Sequence, residues 1–206
     1  MKNTVTETFN IDVPIFAFSH CRDVVAAVSK AGGFGVLGAV GHSPDALEID
    51  LKWIEDEVGE RPYGVDLIVP AKYEGSDEGG LTVHKIASMI PDAHHEYVTE
   101  ILEKYDVPEL AETKSGQFSM KNDGAAPMSA GTAGPQLEIA LAHNPSLVVN
   151  ALGPPPQFMI DQVKEAGRKV GALAGKAQHA ERHVNAGVDL IIAQGYEAGG
   201  HTGEIG

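Results

Sequence analysis

Short apolar, β-branched runs alternate along this chain with longer stretches whose apolar residues recur at helical spacing. Val13 to Phe18 (VPIFAF) predicts a strand, and Arg22 to Ala31 a helix that ends at Gly32-Gly33. Phe34 to Val40 predicts the next strand and Pro44 to Val58 the next helix, with Ser43 as its N-cap and Pro44 at its first position. A third strand follows at Tyr63 to Val69. After an interruption the rhythm resumes: strand Leu147 to Leu152, helix Gln157 to Ala166, strand Lys169 to Ala174, helix Lys176 to Asn185 and strand Asp189 to Ala193. The strands are apolar on both faces, as in a parallel sheet covered by helices. Strict alternation of strand and helix predicts α/β architecture. Periodicity alone does not separate an open doubly wound sheet from a barrel.

The interruption runs from Pro70 to Pro135. Its first half predicts a helix over Pro91 to Tyr105. The segment Lys114 to Gly134 is rich in Gly, Ser and Ala and has few large apolar residues. It buries too little surface to offset its ordering entropy, which predicts a flexible loop or lid. The whole chain, 1–206, reads as one domain carrying this insertion.

Charge removes some function classes. The 206 residues carry 29 acidic and 15 basic side chains, a formal charge of −14. Such a surface repels phosphate backbones and anionic lipid, so neither nucleic acid nor a membrane surface is an expected partner. The single cysteine, Cys21, forms no internal disulfide, and the polar first ten residues lack the order of a signal peptide. No apolar run reaches membrane-span length. The expectation is a cytoplasmic protein.

Most candidate motifs have plain explanations. Gly33, Gly35 and Gly38 match the G-x-G-x-x-G spacing, but they close a helix and enter a strand. A dinucleotide turn must do the reverse. His179 and His183 lie four apart on a predicted outer helix without the HExxH pattern, and read as solvated surface, as do His94 and His95. Cys21 beside Arg22 follows the first strand and reads as a bystander.

The stretch Ala193-Gln194-Gly195-Tyr196-Glu197-Ala198-Gly199-Gly200-His201-Thr202-Gly203 differs. It follows a buried strand at the C-terminal end, where α/β enzymes place their chemistry. Its glycines let the backbone approach a ligand closely. Gln194 both donates and accepts hydrogen bonds, and His201 titrates near neutral pH.

The string AQGYEAGGHTG is very similar to the signature of the nitronate monooxygenase (2-nitropropane dioxygenase) family, which also occurs in related flavin-dependent enoyl reductases. VPIFAF, AGGFGVLGAV and RPYGVDLIVP sit where that family has its first three strands. The resemblance covers most of the chain outside the insertion. It implies a TIM barrel that holds FMN at its C-terminal mouth. Gln194 and Gly199, with Gly200, are then flavin contacts, and His201 is the catalytic base or a substrate-orienting group. The third-strand position that is usually Asn on the flavin is Asp66 here, where a carboxylate adds negative charge unless protonated or paired. The first strand, commonly ending in Ala-Pro-Met, continues here as Ala17-Phe18-Ser19-His20; Ala17 and Phe18 are the corresponding flavin-side positions and His20 a second polar contact.

The implied chemistry is oxidation of a nitronate or nitroalkane by O₂ to a carbonyl compound and nitrite, with a small-molecule substrate and O₂ as partners. An enoyl reductase is the alternative within the class. Only six strands are legible, and about 140 residues lie outside the insertion, against roughly 250 for a complete barrel. The expectation is therefore about six of eight (β/α) units, with two open edges that leave homo-oligomerisation open and a non-catalytic truncated barrel as a further alternative.

Overall fold

A computed structural model describes residues 2–69, 81–108, 130–195 and 197–199. Six strands form one sheet: β1 Phe16–Ser19, β2 Phe34–Gly38, β3 Tyr63–Leu67, β4 Leu147–Asn150, β5 Lys169–Ala174 and β6 Leu190–Ala193. All neighbours pair in parallel, and their spatial order is their chain order. With right-handed crossovers, sequential order puts every connecting helix on one face, the arrangement of a barrel wall and not of a doubly wound sheet. The fold is thus of the TIM-barrel type, with six sequential parallel strands among the described residues, as expected from the resemblance.

The helices are α1 Thr4–Phe9, α2 Arg22–Lys30, α3 Pro44–Val58, α4 Val83–Ala87, α5 Asp92–Lys104, α6 Ala130–Ala142, α7 Gln157–Glu165 and α8 Ala177–Ala186. The outer core lies between sheet and helices and contains Leu37, Val65 and Leu67 with Leu47, Leu51, Ile54, Leu137 and Ile160. A second cluster fills the other face, the barrel interior: Phe34, Val36, Leu147 and Val149 pack with Phe9 and Ile11. Phe16 stacks on Phe34 with centroids 4.8 Å apart, and Phe9 meets both rings edge-on. The short helix α1, held by a capping box between Asn3 and Thr6, therefore carries the plug of the N-terminal end.

Three helices depart from the expectation: α1, the short α4 inside the insertion, and α6. The polar N-terminus predicted no element, yet α1 forms because its cap satisfies the first turn and Phe9 gains burial in the interior. α6 was hidden by Gly134-Pro135, which reads as a breaker; Pro135 lies inside the helix. Burial of Ala133, Leu137 and Ala140 against the outer core outweighs the lost hydrogen bond. The expected insertion ends inside this helix: residues 130–134 of the segment 114–134 belong to α6, and the rest of that segment lies outside the described residues. The predicted helix over Pro91 to Tyr105 is present as α5, with no buried residue. The first strand starts at Phe16, later than predicted, because Pro14 offers no N–H to the ladder. No helix among the described residues is long and apolar enough to cross a membrane.

Candidate active site

Side chains alternate between the two faces of each strand, so the interior row can be read from the clusters. On β3, Val65 and Leu67 join the outer core, which turns Asp66 inward. Its register partners are Gly38 on β2 and Val149 on β4. On β6, Leu190 packs toward the interior and Ile191 toward the helices. The same alternation continues to Gln194, whose N–H donates to the Ala174 carbonyl at 2.9 Å and extends the ladder. Asp66, Gly38 and Gln194 thus share the C-terminal mouth of the interior.

On β1, Phe16 lies deep in the interior and Phe18, two residues on, faces the mouth. A Cβ on Gly38 would come within 2.5 Å of the Phe18 ring and 2.8 Å of the His20 ring, so the missing side chain is what admits both. His20 packs edge-on against Phe18, and its Nδ1–H donates to the Gly38 carbonyl at 2.9 Å. Phe18 remains 55% exposed, an aromatic face presented to solvent at the mouth. Ala17 points to the helix layer beside Gly35, so only its backbone can face the interior row.

Asp66 carries the sharpest electrostatic feature. Its Oδ1 is buried without a hydrogen-bond partner. Burial, with no charged neighbour among the described residues to offset it, pushes its carboxyl up to about 7. Gly195 and Gly199 each have open space where a side chain would stand. Gly200 and His201 lie outside the described residues.

Residues that the motif reading did not single out shape this mouth from behind. Asn150, fully buried at the end of β4, accepts from Val69 N–H at 2.8 Å and donates to the carbonyls of Leu152 and Gly153. It ties together the chain leaving β3 and the chain leaving β4. The Gln136 amide donates to the carbonyls of Ala39 and His42, both at 2.9 Å, and so pins the turn after β2. Asp50 joins Arg22 at 2.8 Å to His42 at 3.0 Å, and the Arg22 guanidinium lies over Trp53. The available signal was a polar residue ending an all-apolar strand (LVVN), because a buried amide demands partners.

The histidine pair on α8 needs a correction. His183 is not solvated surface: it is 1% exposed, with Nε2–H donating to the Leu173 carbonyl at 2.9 Å. The helix has few large apolar residues, and the imidazole fills its inward position. Among the described residues no group of three or more His, Cys, Asp or Glu could hold a metal ion. Cys21 is exposed and free. A cleft of about 430 Å³ lies at the opposite, N-terminal end, lined by Thr8, Asn10, Glu55, Arg61, Tyr63 and Lys169. That end of a barrel serves stability.

A family model described as nitronate monooxygenase matches residues 2–206. The chain belongs to the nitronate monooxygenase family. It is 47% identical over 205 residues to a Mycobacterium tuberculosis protein described as "Putative monooxygenase Rv1533", covering 100% of this chain and 54% of that protein. A "Probable nitronate monooxygenase" of Staphylococcus saprophyticus is 29% identical, with 98% of this chain and 51% of that protein covered. The chain spans about half the length of the curated relatives it matches. Among solved structures it superimposes on nitroalkane oxidase from Streptomyces ansochromogenes with a TM-score of 0.66 at 24% identity, covering 98% of this chain and 51% of the other. FabK from Thermotoga maritima gives 0.64 at 22%, covering 100% and 48%. At these identities the two structures attest the fold.

Proposed function

We propose that this chain forms the ring-binding part of an FMN-dependent oxidoreductase that oxidises nitronates or nitroalkanes with O₂, giving a carbonyl compound and nitrite. The observation that carries the reading is the Gln194–Gly199 segment leaving β6 at the same mouth as the unpaired carboxyl of Asp66 in a chain of this family. The residues present suit a flat heterocycle. Phe18 offers an aromatic face, Gly195 and Gly199 allow close backbone approach, and Asp66 and Gln194 offer polar atoms toward a ring edge. Bound flavin supplies the electron transfer to O₂, which no side chain can provide. The chain's own part is to orient substrate and move a proton. In this reading the His201 imidazole takes the proton from the carbon that bears the nitro group, and a preformed nitronate needs no such step.

The test is oxygen consumption by the flavin-loaded protein. Nitronate-dependent O₂ uptake without NAD(P)H is the expected result. NADPH oxidation driven by an enoyl thioester, with no response to nitronate, would assign the chain to the reductase branch instead.

A further inference from the structure

Buried carboxyls are ordinarily paired or hydrogen-bonded, because an unsatisfied polar atom costs its full desolvation. Asp66 breaks this rule at the functional end of the sheet. Its Oδ1 has no partner, and the positions in register with it are Gly38 and Val149, neither of which offers a side-chain donor. From β1, across Gly38, come Phe18 and His20, and the His20 Nδ1–H is already committed to the Gly38 carbonyl. The interior positions of β5 and β6 level with Asp66 or just beyond it are Gly171, Leu173, Leu190 and Ile192, all apolar, while Lys169, also interior on β5, lies two residues nearer the N-terminal end, in register with Leu147. His20 is thus the titratable group facing Asp66 from these elements among the described residues; His201 lies outside them. No packing need explains a carboxyl here, since Val149 in the neighbouring position packs without one.

We propose that Asp66 is a proton-bearing ligand contact: its neutral carboxyl donates a hydrogen bond to the edge of the bound flavin ring, and loss of that proton weakens flavin binding. This rests on the flavin reading given above. A neutral carboxyl both donates and accepts, whereas a carboxylate only accepts. Burial holds the group up to about 7, so at neutral pH both forms are populated before any ligand arrives. A ring laid over the mouth expels water and raises the cost of the ionised form further. The neutral form also removes the charge conflict of an aspartate beside an anionic cofactor.

The experiment has two readings on the same chain. Carboxyl-carbon NMR on the protein labelled at aspartate follows Asp66 directly. Riboflavin, which lacks the titrating phosphate of FMN, is titrated by fluorescence quenching across a pH series from 6 to 8.5. The expected result is an Asp66 midpoint near 7, with a riboflavin Kd that rises by up to about thirtyfold across that interval. The Asp66→Asn variant should show a flat profile, since an amide donates at every pH. An Asp66 midpoint in the ordinary carboxylate range would overturn the proposal. So would a flat profile in the parent, or a slope that persists in the variant. Riboflavin binding that fails at every pH would sink the flavin reading and the contact with it, whereas binding without pH dependence sinks the proposal alone. Should Asp66→Asn not fold, the parent's two curves still decide, because they must share one midpoint.

Discussion

A single carboxyl shows how strongly position governs chemistry in this protein. Asp66 near the end of β3 and Asp50 midway along α3 are both aspartates, yet Asp50 is flanked by Arg22 and His42 while Asp66 has no charged partner among the described residues. The sign of the resulting stability effect is fixed. The folded state holds its Asp66 proton up to about 7, whereas the unfolded chain releases it near 3.8, so stability falls as pH rises between those values. Asp66→Asn should therefore leave stability unchanged below pH 3.8 and raise it at pH 8, by at most about 4 kcal/mol. Urea melts of parent and variant at the two ends of that range check this; equal midpoints at pH 8 would contradict it. His201 is the other residue whose role can be isolated. In the flavin-loaded protein, His201→Ala should slow nitroalkane turnover by about 10²–10⁴-fold and a preformed nitronate far less. Steady-state rates on the two substrate forms measure the difference.

Between elements, the junction of α3, α6 and β3 concentrates the ionic bonding. His143, which follows α6, bonds Glu55 through Nδ1 and Glu48 through Nε2, both at 2.9 Å. Glu55 also accepts from the Tyr63 hydroxyl and from Asn144 N–H. Burial alone would lower His143, but the hydrogen bonds and charges of Glu55 and Glu48 outweigh it and hold the imidazole above its usual value. Burial alone would raise Glu55, and its bonds to His143, Asn144 and Tyr63 hold it below the usual value instead. The imidazolium contributes fully below 6.5 and is lost as pH rises through its raised folded value; the carboxylate contributes above 4.5 and is lost as pH falls through its lowered one. The junction is therefore strongest between about pH 4.5 and 6.5. His143→Gln should cost most in that window, on the order of 1–3 kcal/mol, and least at alkaline pH, once the imidazole has lost its proton. Thermal melts across pH test it, and a cost that grows toward alkaline pH would refute it. The packing of α2 on β2 is equally specific: a Cβ on Gly35 would stand 2.2 Å from the Val25 carbonyl oxygen, so only glycine lets that helix reach the sheet.

For the molecule as a whole, the open edges matter most. Among the described residues β1 and β6 each pair on one side only. Beside them Ile15, 60% exposed, and Ile192, 37% exposed, leave apolar surface uncovered. Unpaired edges with apolar flanks template association. The isolated 206-residue chain should self-associate in a concentration-dependent way, and Ile15→Lys with Ile192→Lys should reduce it; sedimentation velocity over a dilution series gives the answer. A chain that stays monomeric at high concentration would contradict this.

The strand–helix rhythm was legible because strands buried on both faces must be continuously apolar, and Phe34–Gly38, Tyr63–Leu67 and Leu147–Asn150 all fall within predicted strands. The glycine-rich exit from β6 was legible from its composition, although β6, read from its apolar run as a buried strand, is half-buried to exposed. Sequential strand order is a long-range property of the backbone, and periodicity leaves it open; the resemblance supplied it and the pairing bears it out. Three further features were decided only by tertiary contact. α6 survives its Gly-Pro because the outer core rewards burial of Leu137. His183 turns inward because its helix has no larger apolar residue to offer there. The unpaired state of Asp66 depends on what β1, β2 and β4 set around it. Local sequence determines which residues prefer a strand, a helix or a turn, but burial and pairing, and with them the charge state of a buried carboxyl, belong to the assembled sheet.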